Sequence, residues 1–490
     1  MKKLSLPASK KARLALCCAA VLLIAAVVLV LVFSLIRPKG TDEVLFGVIS
    51  DPGAGETLIY RGEEPLYRLE GFLKSRATAF GGERDAVLTD LGQFCLMTPK
   101  FTGIVSEDVL DFRLACEGGA LVYLTGDHAL YYQKDGAREA TCLMTDYPAD
   151  TLDALAVSPK GGCVALGFSE EDGALQLWKN GTFTPLSDAL TEDGCRPLAV
   201  SEDGEHLYYL TGADSALYHA SASGSCRKLT ASFSASFLPP RFNRDVSEVL
   251  FSEANGCTYF SENGGEKEKV SPGAASPVPL SGSRTFSQAG SVPCEILPEK
   301  SLQDRLYLVK KDDAQSLKLF SDGWAGTTCA SDVYAASLSA DARTLYFVRS
   351  AENTFRIYTV DLRKEDAREE TLVATGVSAY SFSPDGKTVY YVTRGRKLYG
   401  RSGADSVLMC ENASGVSVAP TGEVYWNVEL GEGLSVWYLY LNEERGSVRL
   451  SESVSASLFT REGAYFCVKQ DRFASWYVRT GETLKALQHP

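Results

Sequence analysis

Ser381-Phe382-Ser383-Pro384-Asp385-Gly386-Lys387-Thr388-Val389-Tyr390-Tyr391-Val392 is the stretch that decides the fold. An apolar strand runs into a Pro-Asp-Gly turn and emerges as an aromatic strand. Ser383-Pro384-Asp385-Gly386 suits a type I turn, with Pro at its second position and Gly supplying positive φ at its end, and so joins two antiparallel strands. Weaker copies occupy Leu198 to Leu210, turning at Glu202-Asp203-Gly204, and Ser337 to Val348, turning at Ala340-Asp341-Ala342. Copies starting near residues 113, 155, 198, 335, 380, 416 and 457 lie 36 to 45 apart where consecutive. A period of that length predicts an array of repeated sheets.

Outward from this phrase, residues 78 to 487 fall into short runs rich in Val, Leu, Tyr and Phe, punctuated by Asp-Gly, Asn-Gly and Gly-Gly. Such runs read as strands, and no stretch beyond the first forty residues has helical periodicity. The predicted fold class is all-β. Val44 to Ser50, Thr57 to Tyr60 and Leu66 to Leu69 are further strands that either begin the first sheet or close the array. A small sheet with two apolar faces is not stable alone, whereas four-stranded sheets packed face to face around an axis bury both, which is the β-propeller arrangement. Candidate units begin near 78, 113, 155, 198, 239, 300, 335, 380, 416 and 457. Because propellers usually have four to eight blades, we expect a β-propeller of about eight four-stranded blades, with some units partial. Residues 271–298, rich in Ser, Pro and Gly, break the period and predict an irregular insertion.

Leu14 to Ile36 are 23 consecutive uncharged positions, about 35 Å of helix and enough to span a bilayer. Lys2, Lys3, Lys10, Lys11 and Arg13 precede this segment and only Arg37 and Lys39 follow it before Asp42, so the amino terminus is expected in the cytoplasm. The run exceeds a typical signal-peptide core, no small-x-small site closes it, and Leu16 is too bulky for Cys17 to be a lipidation site. The expected organisation is a basic cytoplasmic tail over 1–13, a transmembrane helix over 14–36, a linker over 37–43 and an extracytoplasmic β-propeller over 44–487. Removing the seven positive charges of residues 1–39 from the net −13 leaves −20 on the remainder, which disfavours nucleic acid as a partner. Of 13 cysteines, 11 lie outside the membrane segment, and Cys142, Cys226 and Cys410 occupy like positions of different repeats, so they read as small buried hydrophobes instead of a disulfide framework.

The repeat resembles the TolB-like, WD40-like propeller repeats, whose mark is Ser-Pro-Asp-Gly-Lys followed by an aromatic strand and a later Leu-Tyr, here Leu398-Tyr399. The match is close at 380–400, fair at 155–178, 198–218 and 335–358, and loose elsewhere, and the Gly-His and Trp-Asp signatures of true WD40 repeats are absent. The resemblance implies the propeller fold and a scaffold role at a cell envelope.

The chain has no Gly-x-Ser-x-Gly elbow and no His-Glu-x-x-His. Its histidines, His128, His206, His219 and His489, show no metal-ligand spacing, so neither a metal, a cofactor nor a catalytic triad is expected. Tyr131-Tyr132, Tyr208-Tyr209 and Tyr390-Tyr391 recur at one repeat position and read as packing between blades. Trp178, Trp324, Trp426, Trp437 and Trp476 are weak candidates for glycan contact. If the Asp-Gly turn joins strands one and two, the turns between strands two and three lie on the opposite face, where Glu170, Glu171, Asp172, Asp214, Asp312, Asp313, Glu352, Glu429, Glu432 and Asp471 form a candidate acidic binding surface. The expectation is a non-catalytic, membrane-anchored scaffold that binds a protein, peptide or cell-envelope polymer. The alternative is a propeller glycosidase or lyase using carboxylates at the ring mouth, which needs two of them converging in one pocket.

Overall fold

The computed structural model describes residues 44–490 apart from 52–53, 168–174, 187–193, 212–215, 282, 284, 289–291, 304, 312–313, 321–326, 363–368, 431–435, 444–445, 453, 471–472 and 488–490. The predicted membrane helix over 14–36 lies outside the described residues. Among those residues no helix is long and apolar enough to cross a membrane.

Every regular element described is a strand, and the strands form ten hydrogen-bonded sheets. In chain order sheet 1 spans residues 47–70, sheet 2 73–106, sheet 3 109–144, sheet 4 155–185, sheet 5 195–230, sheet 6 241–271, sheet 7 274–331, sheet 8 335–410, sheet 9 413–452 and sheet 10 454–486. Most are four-stranded antiparallel meanders in which each strand pairs with the next. Sheet 1 has three strands, and the seven strands of sheet 8 are two four-stranded halves sharing Thr371–Phe382. The first part of that strand pairs backward with Thr354–Asp361 and its end pairs forward with Thr388–Thr393. Gly376, at φ 60°, sits where the strand passes from one half to the other, a conformation that costs glycine least.

The Ser-x-Asp-Gly phrase folds as a self-bonded hairpin turn. Ser383 Oγ donates to Asp385 at 2.6 Å and accepts from the Thr388 amide at 2.9 Å, while the Lys387 amide donates to Asp385 at 3.0 Å. Ser201 with Asp203 and Ser339 with Asp341 repeat this pattern. The Ser339 hydroxyl first, then the Arg343 amide, hold the Asp341 carboxyl below the usual carboxylate range. Gly386 has φ 66°, and a Cβ there would sit 2.7 Å from Cα of Ser339 in the adjoining half-sheet. Its turn is therefore also a packing surface.

The cores lie between sheets. Phe94 of sheet 2 meets Phe112 of sheet 3 at 4.8 Å, Tyr132 of sheet 3 meets Trp178 of sheet 4 at 4.5 Å, and Tyr208 of sheet 5 meets Phe242 of sheet 6 at 5.2 Å. Leu250 and Phe260 then pack on Tyr307 and Val309 of sheet 7, Leu317 on Phe347 of sheet 8, Tyr346 on Tyr391 across the halves of sheet 8, Leu398 on Trp426 of sheet 9, and Leu441 on Phe466 of sheet 10. The circuit returns to its start: Tyr60 of sheet 1 packs on Tyr465 of sheet 10, whose hydroxyl donates to the Gly62 carbonyl at 2.9 Å, while Ile59 and Leu69 pack on Val87 and Met97 of sheet 2. This layout of sheets is a β-propeller. The described strands fall into ten sheets, beside an expectation of about eight four-stranded blades. Seven of the ten candidate starts fall within the first strand of a sheet, the start near 380 falls in the strand shared by the halves of sheet 8, the start near 239 falls two residues before a first strand, the start near 300 falls inside sheet 7, and sheet 1 is an additional unit.

The insertion is ordered where described. Ala274–Pro277 is the first strand of sheet 7, which places that sheet's beginning well before the expected start near 300. Leu280 then bridges Leu338 of sheet 8, and Ser281 Oγ approaches the Ser383 carbonyl at 3.4 Å. Phe286–Gln288 and Cys294–Ile296 next form a hairpin that adds to sheet 6 through parallel pairing with Arg241–Phe242. Phe286, Cys294 and Ile296 bury against Phe80, Cys116, Leu198 and Phe242 of sheets 2, 3, 5 and 6. The 11 cysteines from Cys95 to Cys467 are unpaired; Cys142 and Cys226 are exposed and Cys410 half-buried, not the buried hydrophobes expected of them, while burial pushes the Cys95 and Cys294 thiols up to about 12.

Neighbouring sheets are also latched by polar contacts. The Glu202 carboxylate of sheet 5 accepts from Ser158 Oγ at 2.7 Å, the Lys160 amide at 3.0 Å and the Gly162 amide at 2.9 Å of sheet 4. Glu202→Ala leaves these donors without their shared acceptor and is expected to lower unfolding stability by about 2 kcal/mol. Chemical denaturation of the variant checks it, and an unchanged midpoint would show the latch to be idle.

Candidate functional site

Within each meander the first and third turns lie on one face, and the second turn and the link to the next sheet lie on the other. Of the ten carboxylates assigned to this second-turn face, Glu170, Glu171, Asp172, Asp214, Asp312, Asp313, Glu432 and Asp471 lie outside the described residues. Glu429 falls inside the strand Val424–Leu430, paired with Trp437, and not in a turn. Glu352 is in the expected turn, exposed, with φ 40° and its carbonyl accepting from Arg394 Nη2 at 2.9 Å. It lines an open groove of about 640 Å³ whose other charged residues are Arg356 and Arg394. Glu352 and Glu429, the two of the ten that lie among the described residues, belong to sheets 8 and 9.

The second-turn face instead carries a cleft of about 420 Å³ at the head of sheet 5. Its floor is the start of that sheet, Cys195 and Arg196, with Leu210 and Thr211 on the paired strand. One wall is the link between sheets 3 and 4, with Tyr147 and Asp153, and the other is the link from sheet 5 to sheet 6, with Phe233 to Ser236 and Val292 of the insertion. Tyr147 is anchored through its backbone: its amide donates to the His128 carbonyl at 2.9 Å, and its own carbonyl contacts His128 Nδ1 at 3.2 Å. Ser234 is fixed by its amide donating to the Ser252 carbonyl at 2.9 Å. Asp153 lies 3.6 Å from the buried Arg113, which also holds Asp111 at 3.0 Å. The sequence offered little to find this cleft, because links supply most of it and no motif marks Arg196 or Thr211. Arg196, a charge opening the apolar run Leu198 to Val200, is the one visible irregularity.

Burial holds the titratable hydroxyl and thiol of the cleft in their neutral forms. Burial pushes the Cys195 thiol up to about 12, leaving it protonated at neutral pH and a poor nucleophile. Burial likewise pushes the Tyr147 hydroxyl up to about 12, against the pull of Arg113. No imidazole stands among the described lining residues to activate Ser234 or Ser236. Among the described residues no three His, Cys, Asp or Glu side chains are grouped to hold a metal ion.

The aromatic expectations divide. Tyr132, Tyr208, Tyr209 and Tyr391 are buried between sheets, in line with packing. Trp178 and Trp426 are buried too, which removes them as glycan contacts, and Trp324 lies outside the described residues. Exposed aromatic area on the second-turn face comes from the links, at Phe72, Phe237 and Tyr334, 43%, 52% and 60% exposed.

No protein-family profile and no curated protein matches the chain. Among solved structures, the tricorn protease aligns at 12% identity and TM-score 0.29, over 89% of this chain and 49% of that one. A eukaryotic initiation factor aligns at 11% and 0.41, over 84% and 94%. Dihydro-heme d1 dehydrogenase NirN in complex with DHE aligns at 14% and 0.34, over 76% and 75%. The chain thus spans about half the length of the first of these structures. At such scores none bears on what this chain does.

The two histidines separated in sequence meet in the fold. His206 Nδ1 lies 3.2 Å from His219 Nε2 beside the seam between sheets 5 and 6, with Tyr208 edge-on to His219 at 5.0 Å. His219 is buried, and Gly264 of sheet 6 leaves it room, since a Cβ there would fall 2.1 Å from its Nδ1. Burial, then His206 and Arg227, lower its pKa to about 4. The unfolded chain therefore takes up the proton first, and stability falls as pH drops from about 6.5 toward 4, by up to about 3 kcal/mol. Urea midpoints at pH 7, 5.5 and 4.5 are expected to fall less steeply in His219→Gln than in the parent, and identical slopes would exclude His219 as their source.

Proposed function

We propose that this chain is a single-pass membrane protein whose extracytoplasmic propeller binds a protein, peptide or envelope component through its second-turn face. Its repeats are TolB-like, carried by Ser383-Pro384-Asp385-Gly386, and its sheets form one ring that closes where sheet 1 meets sheet 10. The uncharged run Leu14 to Ile36 and the excess of Lys and Arg before it support the topology. The observation that carries the binding role is the cleft at the head of sheet 5, which combines apolar walls with a few converging polar groups in the size range of ligand sites. Phe72, Phe237 and Tyr334 extend apolar surface along the same face. Binding is favoured over glycoside cleavage because the described lining of each hollow has one carboxylate, Asp153 or Glu352, where that chemistry uses two.

Proximity crosslinking of the full chain in its own membrane, with mass spectrometry of the capture, tests this reading. A discrete partner is expected, lost in the Phe237→Asp, Tyr334→Asp double variant and retained in Phe101→Asp, which alters an exposed third turn on the opposite face. Capture indifferent to the second-turn face would sink the assignment. In intact cells the exposed Cys142 thiol is expected to react with a membrane-impermeant maleimide, and protection until lysis would place the propeller on the inner side.

A further inference from the structure

The cleft at the head of sheet 5 contains two polar groups that the fold itself does not use. Thr211 is 6% exposed, and its hydroxyl has no hydrogen-bond partner, although its amide donates to the Ala216 carbonyl at 3.2 Å. Arg196, half-buried on the paired strand, makes no ion pair or side-chain hydrogen bond among the described residues. Its neighbours behave otherwise: Arg113 holds Asp111 and Asp153, Arg227 faces Glu266, and Arg241 holds Glu295. An unsatisfied buried hydroxyl is destabilising and is retained where something else satisfies it. Both unused groups border one cavity.

We infer that this cleft binds the free carboxylate end of a short peptide. The inference rests on the reading that the second-turn face is the binding surface. A guanidinium offers parallel donors that match a carboxylate in two-point contact, and Arg196 is the cation with that capacity to spare. Thr211, paired with Cys195 and therefore directed to the other face of the strand from Arg196, accepts from the last peptide amide. Leu210, Phe233 and Val292 supply apolar contact for the terminal side chains, and Asp153, on the wall formed by the link between sheets 3 and 4, is an acceptor for a nitrogen farther along the ligand. About 420 Å³ accommodates a few residues. A long anionic polymer is a poorer fit, because the part of the chain beyond residue 39 carries −20 and repels extended negative charge.

The test titrates the full chain in detergent micelles with the tripeptide Ala-Phe-Ala as free acid and as carboxyl-terminal amide, followed by calorimetry. The acid is expected to bind at least about tenfold tighter than the amide, the scale of a charge-assisted pair. Arg196→Gln is expected to erase that preference, and Thr211→Val to weaken the acid severalfold, with melting temperatures confirming that both variants fold. Equal affinity for acid and amide, an unchanged preference in Arg196→Gln, or no binding of either peptide at millimolar concentration overturns the inference. Because partner capture in membranes is scored separately through Phe237 and Tyr334, a failed peptide titration is distinguishable from failure of the binding role itself.

Discussion

Each sheet in this molecule has two apolar faces and must be covered on both. The side-chain period of two enforces it, since successive residues of a strand point to opposite neighbours. Tyr208 and Tyr209 illustrate the point: the first packs toward sheet 6 and the second toward sheet 4. Leu345 and Phe347 likewise face sheet 7 while Tyr346 and Val348 face the second half of sheet 8. A strand buried on both sides reads as a continuous apolar run instead of an alternation, which is why adjacent aromatic residues recur along the chain. Among the described residues sheet 1 is covered on one face by sheet 10 and on the other by sheet 2.

This constraint explains what was legible in the sequence. A Ser hydroxyl, an Asp carboxylate and a residue tolerating positive φ suffice to build the first turn locally, so Ser383-Pro384-Asp385-Gly386 announced its hairpin without reference to any distant residue. The runs on either side announced strands because both faces are buried. The insertion was opaque because its strands are three or four residues long and gain their stability from distant partners, Arg241–Phe242 and Leu338 among them. Composition rich in Ser, Pro and Gly described the chain's turns there but not what Phe286 and Ile296 would reach.

The candidate site was less legible than the fold, for a related reason. Turn carboxylates are conspicuous in sequence, yet a cleft is made by what converges, and here two links, the head of sheet 5 and the insertion come together. Tyr147, Arg196, Phe233 and Val292 share no spacing. His206 and His219 carried the same lesson on a smaller scale. Thirteen residues apart, they meet because Tyr208 pairs with His219 in the register of two adjacent strands.

The insertion also changes how the array behaves as a cooperative system. Repeat proteins whose units touch only their nearest neighbours lose them one at a time, each opening being an almost independent event. Residues 274–296 abolish that independence over a large part of this molecule, since one continuous segment supplies the first strand of sheet 7, lies along sheet 8, widens sheet 6 and fills the space before sheets 2, 3 and 5. Withdrawing it from any one of them exposes apolar surface on the rest. By that coupling these sheets are expected to open together and not one at a time.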